Sequence, residues 1–77
     1  MNSERLIQII SDITGIPAEE MAEDTLLFEE LGADSLEMFK IYTEVSKELD
    51  AAFDRQSFVT ALSIGKLLTI INENRLG

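Results

Sequence analysis

The sequence contains no cysteine and no histidine. The first absence excludes disulfides as a source of stability. The two together exclude the zinc patterns built on those residues. They also remove the usual nucleophile–base pairs, because the commonest base and the strongest nucleophile are both missing. Basic residues are scarce as well: six Lys and Arg stand against fifteen Asp and Glu, a formal net charge of −9. Such an imbalance argues against binding DNA, RNA or anionic lipid and favours basic protein partners reached by electrostatic steering. Solubility of a small protein is the plainer account of the same charge. No apolar run is long enough to span a membrane. The opening Met1-Asn2-Ser3-Glu4-Arg5 is not that of a signal peptide, and the apolar run behind it is broken by Gln8 and Asp12. A cytoplasmic monomer is expected.

Seventy-seven residues make a single domain, 1–77, near the lower limit of what one core supports. A closed catalytic cleft has little room, so an enzyme is not expected. Stability has to come from the 45% of residues that are apolar, provided they fall on coherent faces.

They do. Leu6, Ile7, Ile9, Ile10 and Ile13 recur at helical spacing, with Ser3 as the expected N-cap. Gly15 closes this helix and Pro17 follows, the usual stop sequence. Residues 16–33 read as a long connection, with one helical turn at Pro17–Met21. Leu26, Leu27, Phe28 and Leu31 are too apolar for a free loop and are expected to tuck under the helices. A second helix runs from Ser35 to Leu49, capped by Asp34, with Met38, Ile41, Tyr42, Val45 and Leu49 on one stripe. A short helix from Asp54 to about Ala61 would bury Phe58. Ser63 then caps a last helix whose Ile64, Leu67, Leu68, Ile70 and Ile71 face inward. No convincing alternating strand appears. The expected fold is all-α: a small four-helix bundle, three main helices plus one short, with a long first connecting loop.

The most informative string is Leu31-Gly32-Ala33-Asp34-Ser35-Leu36. Read locally, Asp34 and Ser35 are helix-capping residues. A serine in the first turn also holds its hydroxyl beside unpaired backbone N–H groups, where the helix dipole favours a phosphodiester. Gly32 and the small Ala33 leave the approach open. On a wheel of about 100° per residue, Leu36 lies nearly opposite the buried stripe, with Lys40, Thr43 and Lys47 on its side. Leu36 therefore reads as an exposed docking anchor, although single exposed leucines are common. Phe39, Phe53 and Phe58 read as core residues.

The string resembles the signature around the modified serine of acyl carrier proteins, and the resemblance extends over the whole chain. The connection with Leu27-Phe28-Glu29-Glu30-Leu31-Gly32 and the Ser63-Ile64 helix start fall at the family's spacing. The resemblance implies that a phosphopantetheinyl transferase uses coenzyme A to attach a 4′-phosphopantetheine arm covalently to Ser35. The arm's thiol would carry acyl intermediates as thioesters for fatty-acid, polyketide or more specialised synthesis. Asp34 would help orient the transferase. The second helix would dock acyl-loading, synthase and transferase enzymes bearing basic patches, through Leu36, Glu37, Lys40, Thr43, Glu44, Lys47 and Glu48. Met38, Ile41, Phe58, Ala61 and Leu67 would line an acyl chain if the core opens. No catalytic or metal-ligating residue is implied.

Two departures qualify that picture. Fatty-acid-synthesis carriers tend to have acids near the positions of Lys40 and Lys47, and an apolar residue near Thr43. Altered partner choice is one account; ordinary pairing of Glu44 with Lys40, and of Lys47 or Glu48 nearby, is the other. A peptidyl or aminoacyl carrier shares the fold and the arm, but usually approaches its serine through Gly-Gly-x-Ser rather than Gly32-Ala33-Asp34-Ser35. From another class, an acidic interaction module would leave Ser35 unmodified. The span from Met1 to Gly77 is expected to be free-standing.

The charge balance generates one prediction at once. Self-repulsion is a sizeable cost in a domain of marginal stability. Added salt or millimolar divalent cation should raise the melting temperature, most steeply at low ionic strength. A calorimetric melting point indifferent to salt would contradict this.

Overall fold

The computed structural model describes residues 1–73 and the backbone of residues 75 and 76. Helix α1 (Ser3–Thr14) starts one residue earlier in its capping than the sequence implies. Asn2, not Ser3, is the N-cap: its backbone is extended and its side-chain oxygen accepts the Arg5 N–H at 2.8 Å. Both residue types suit the position. Leu6, Ile9 and Ile10 are buried, whereas Ile7 and Ile13 flank the stripe and are only half-buried. Gly15 ends the helix in the left-handed region at φ 78°, and its N–H returns to the Ser11 carbonyl.

The long connection is ordered by specific hydrogen bonds. A single 3-10 turn, Ala18–Glu20, follows Pro17. Thr25 is the one buried polar residue of this stretch, and its hydroxyl oxygen accepts the Ala22 N–H at 2.9 Å. Leu27 is fully buried; Phe28 and Leu31 lie half-buried against the core, and Leu26 is half-buried without packing on it. The Leu27 N–H donates to the Leu62 carbonyl at 2.9 Å, that of Ile64 to Thr25 at 3.1 Å, and that of Gly65 to Glu23 at 2.7 Å. Leu26 and Ser63 form an isolated antiparallel bridge. The loop is thus stitched to the start of the last helix, which satisfies the backbone N–H that Leu27 carries inside.

Helix α2 (Ser35–Leu49) is capped by Asp34, whose carboxylate accepts the Glu37 N–H at 2.9 Å, a contact worth about 1 kcal/mol. Met38, Ile41 and Val45 are buried along one stripe. Tyr42 sits at its edge and donates its hydroxyl to the Phe53 carbonyl at 3.1 Å. Helix α3 is shorter than expected, Arg55–Val59. Asp54 caps it by accepting both the backbone N–H and the hydroxyl of Ser57, and those bonds hold its carboxyl below the usual carboxylate range. Phe58 is buried and Val59 half-buried. Helix α4 (Ile64–Glu73) starts at Ser63, whose hydroxyl accepts the Lys66 N–H at 3.0 Å. Ile64, Leu67, Ile70 and Ile71 face inward and Leu68 half-buries.

Helix α1 packs on α2 and α4, α3 bridges α2 and α4, and their apolar faces share one core. A two-residue antiparallel pairing, β1 (Ala52–Phe53) with β2 (Arg75–Leu76), joins the α2–α3 link to the chain's end. Two residues are too few to show an alternating pattern, so nothing in the sequence marked them. Arg5 of α1 grips Glu48 of α2 through two hydrogen bonds, 2.7 and 2.5 Å, which raise the arginine and lower the carboxylate from their ordinary pKa values.

Gly65 matters to the stitching of loop and helix. A methyl group there would stand 3.0 Å from the Glu23 carbonyl oxygen, and that oxygen cannot retreat without losing its bond to the Gly65 N–H. Overpacking of this kind costs about 1–3 kcal/mol, enough to offset the roughly 1 kcal/mol by which alanine favours a helix. Gly65→Ala should therefore lower the urea midpoint with an unchanged slope. A stabilised variant would contradict the close approach.

Candidate functional site

Ser35 is the first residue of α2, exposed to solvent, and everything that precedes it holds it there. The Ala33 N–H donates to the Leu27 carbonyl at 3.0 Å, which ties the helix entrance to the stitched loop. Gly32 turns the chain at φ 69°, and the space where its Cβ would stand is open. Ala33, by contrast, is buried. Its small side chain lets it enter the core and does not widen the approach, so that part of the sequence reading is corrected. Asp34 is engaged by the Glu37 N–H, while the Ser35 and Leu36 amides have no acceptor within the helix.

A phosphodiester on the Ser35 hydroxyl fits these features. The side chain is accessible, first-turn amides and the positive end of the helix dipole are beside it, and Gly32 leaves the approach clear. The same place has no donor set for a metal: among the described residues no group of three or more Asp or Glu side chains converges on one point. Nor is any described helix long and apolar enough to cross a membrane.

Leu36 is 62% exposed, on the face opposite Met38, Ile41 and Val45, as the wheel implies. Lys40, Thr43, Glu44 and Lys47 share the exposed side. Thr43 turns its hydroxyl back onto the Phe39 carbonyl at 3.0 Å. Glu44 meets Lys47 at 4.0 Å with both side chains well exposed, a contact too long and too solvated to fix either. The expected Glu44–Lys40 pair is not formed, and Lys40 makes no ion pair among the described residues. Glu37 is half-buried. Glu48 is engaged by Arg5, on the flank of α2 that faces α1.

Three residues at this end escaped the sequence reading. Phe39 is 43% exposed and not a core residue. Its ring stacks on Tyr42 with centroids 6.3 Å apart, and the Arg55 guanidinium of α3 lies 5.3 Å above it. The wheel applied to Leu36 also puts Phe39 off the buried stripe, so the signal was present. Arg55 had none, because its partner ring belongs to another helix. Leu62 is 68% exposed and likewise carries no periodic signal.

The five residues named as acyl lining are brought together: Met38, Ile41, Phe58, Ala61 and Leu67 are all buried in the common core. Phe58 packs edge-on against Tyr42 at 5.1 Å and against Phe53 at 5.9 Å. Among the described residues, a surface hollow of about 650 Å³ between α3 and α4 touches this group through Ala61, and another of about 350 Å³ touches none of it.

Comparison with known proteins covers the same stretch of chain. The family model described as the phosphopantetheine attachment site matches residues 4–71. Acyl carrier protein of Streptococcus thermophilus is 31% identical over 70 residues, 91% of this chain and 90% of the relative. That of Shigella flexneri is 26% identical over 74 residues, 96% and 95%. That of Saccharopolyspora erythraea is 27% identical over 67 residues, 87% and 70%. A family model spanning all four helices, together with relatives that align nearly end to end, places the chain in the acyl carrier protein family, the carriers of covalently attached 4′-phosphopantetheine.

Proposed function

We propose that this chain is a carrier and not a catalyst, with Ser35 as its attachment point. The observation that carries the reading is the exposed Ser35 hydroxyl on the first turn of α2, behind an open Gly32 and a helix end already capped by Asp34. A phosphopantetheinyl transferase would join that oxygen to the β-phosphorus of coenzyme A, breaking the pyrophosphate and releasing 3′,5′-ADP. When attached, the arm supplies the thiol that a chain without cysteine lacks, and acyl groups ride on it as thioesters. The protein's own part is to hold the attachment point rigid and to present α2 to biosynthetic enzymes.

Docking divides between two edges of α2. Glu37 and Glu44 lie toward α1, where Glu48 is already engaged by Arg5. Lys40 and Lys47 stand on the exposed crest beside Leu36, and Phe39 with Arg55 continues the cationic side toward α3. A partner built for a uniformly acidic helix meets like charge there, and such contacts penalise the wrong partner. The reading is therefore of a specialised acyl pathway and not the housekeeping fatty-acid route.

Incubation with coenzyme A and a broad-specificity transferase should add one phosphopantetheinyl group, mapped by peptide mass to Ser35. Ser35→Ala should accept no label and keep its stability within about 0.5 kcal/mol, since the cap is Asp34. Labelling of that variant, or none of the unmutated chain, would sink the reading. In elongation assays with housekeeping fatty-acid-synthesis enzymes, the double change Lys40→Glu with Lys47→Glu should raise transfer roughly tenfold at low salt through faster association. An unmutated chain that already matches a housekeeping carrier would remove the specialised-pathway reading.

A further inference from the structure

The connection between α1 and α2, residues 16–34, carries no Lys or Arg, whereas the crest of α2 carries Lys40 and Lys47. Basic proteins drawn in by the net charge of −9 therefore find their counter-charge on the connection and not on that crest. The same connection builds most of a surface hollow of about 350 Å³, lined by Leu26, Phe28, Glu29 and Leu62. A lone exposed leucine asks for no explanation. Leu62, at 68% exposed, instead adjoins two half-buried apolar side chains from a distant segment.

The walls of the hollow are fixed by backbone bonds: the Leu27 N–H holds the Leu62 carbonyl, and Leu26 bridges Ser63. Its surroundings are acidic. Glu29 belongs to the lining, the Glu30 carboxylate accepts the Leu26 N–H at 2.9 Å, and the Glu23 backbone lies against Gly65 at the start of α4. Lys66 lines the larger hollow that shares Leu62 and takes no part in this one. A preformed apolar seat with an acidic rim fits an apolar side chain flanked by cations. The side chain anchors in the pocket, and the cations meet the carboxylates and fix the orientation. A second copy of this chain does not suit, because two bodies of the same high charge repel.

We infer that the Leu26–Phe28–Leu62 hollow is a docking seat for a basic protein partner, which inserts an apolar side chain standing between Lys or Arg residues. The seat takes no residue from α2, so it is a contact separate from the crest at Leu36. It lies close to the attachment serine along the chain: the Ala33 N–H holds the Leu27 carbonyl, and Ser35 follows within about 7 Å. The seat does not depend on what Ser35 carries.

The test uses the whole, unmodified chain and a capped Lys-Lys-Leu-Phe-Lys-Lys peptide as probe. Methyl and amide spectra should show saturable shifts centred on Leu26, Phe28, Glu29 and Leu62. Leu62→Ser should weaken binding several-fold at any salt concentration. Glu29→Gln should weaken it at low salt and much less at high salt, where the attraction is screened. Both side chains are exposed, so the variants should keep the parent melting point. On the unmutated chain, a peptide with Ser-Ser in place of Leu-Phe should bind several-fold more weakly, and one with Glu in place of Lys should not bind. Equal binding of the Leu-Phe and Ser-Ser peptides would show condensation of charge alone and overturn the inference. So would shifts centred on Leu36 and Phe39, or concentration-dependent shifts at Leu62 without peptide, which would seat a second copy there.

Discussion

The stitch between the long connection and the start of α4 is the constraint on which the rest of the molecule depends. Residues 16–34 contain one 3-10 turn and no other helix, yet they must deliver Ser35 to a fixed place. Burying Leu27 takes backbone N–H and C=O groups out of water, and each needs a partner. The Leu62 carbonyl accepts the Leu27 N–H and the Ala33 N–H donates to the Leu27 carbonyl, while the Ile64 and Gly65 N–H groups hold the Thr25 and Glu23 carbonyls. Loop order, helix start and serine position are thus one cooperative arrangement. Gly65 has to be a glycine for the two strands of backbone to approach this closely.

From that fixed entrance, α2 projects with three different sides. One faces the core through Met38, Ile41 and Val45. The flank toward α1 is acidic, and Arg5 ties it down at Glu48. The flank toward α3 is aromatic and cationic, where Arg55 covers Phe39 and Tyr42. A net charge of −9 draws basic proteins from a distance, but the crest beside Leu36 carries Lys40 and Lys47. Long-range attraction and short-range fit are therefore set by different residues, and a partner has to satisfy both.

Much of this was legible from periodicity because each helix buries a stripe, and a stripe is a property of the sequence. The bounds of α2, the Asp34 and Ser63 caps, the Gly15 stop and the exposure of Leu36 all follow from local spacing and backbone chemistry. Where local rules left two acceptable answers, they could not choose. Asn2 and Ser3 are both good caps, and Asn2 is the one that serves. Ala33 is small enough for an open approach or a tight core, and Leu27's burial drew it inward. Phe39 was misplaced for another reason: aromatic residues usually go inside, and here the wheel angle outweighed the type.

The sequence by itself determined the helices, their caps, the acidic character and the serine in its first-turn setting, because those depend on residues within a few positions of one another. Only the tertiary structure decided what depends on residues far apart in the chain. It brought Arg55 over Phe39, Arg5 to Glu48, and Leu26 and Phe28 beside Leu62. No periodicity encodes such meetings, since they follow from how whole helices pack and where a buried loop finds its hydrogen-bond partners.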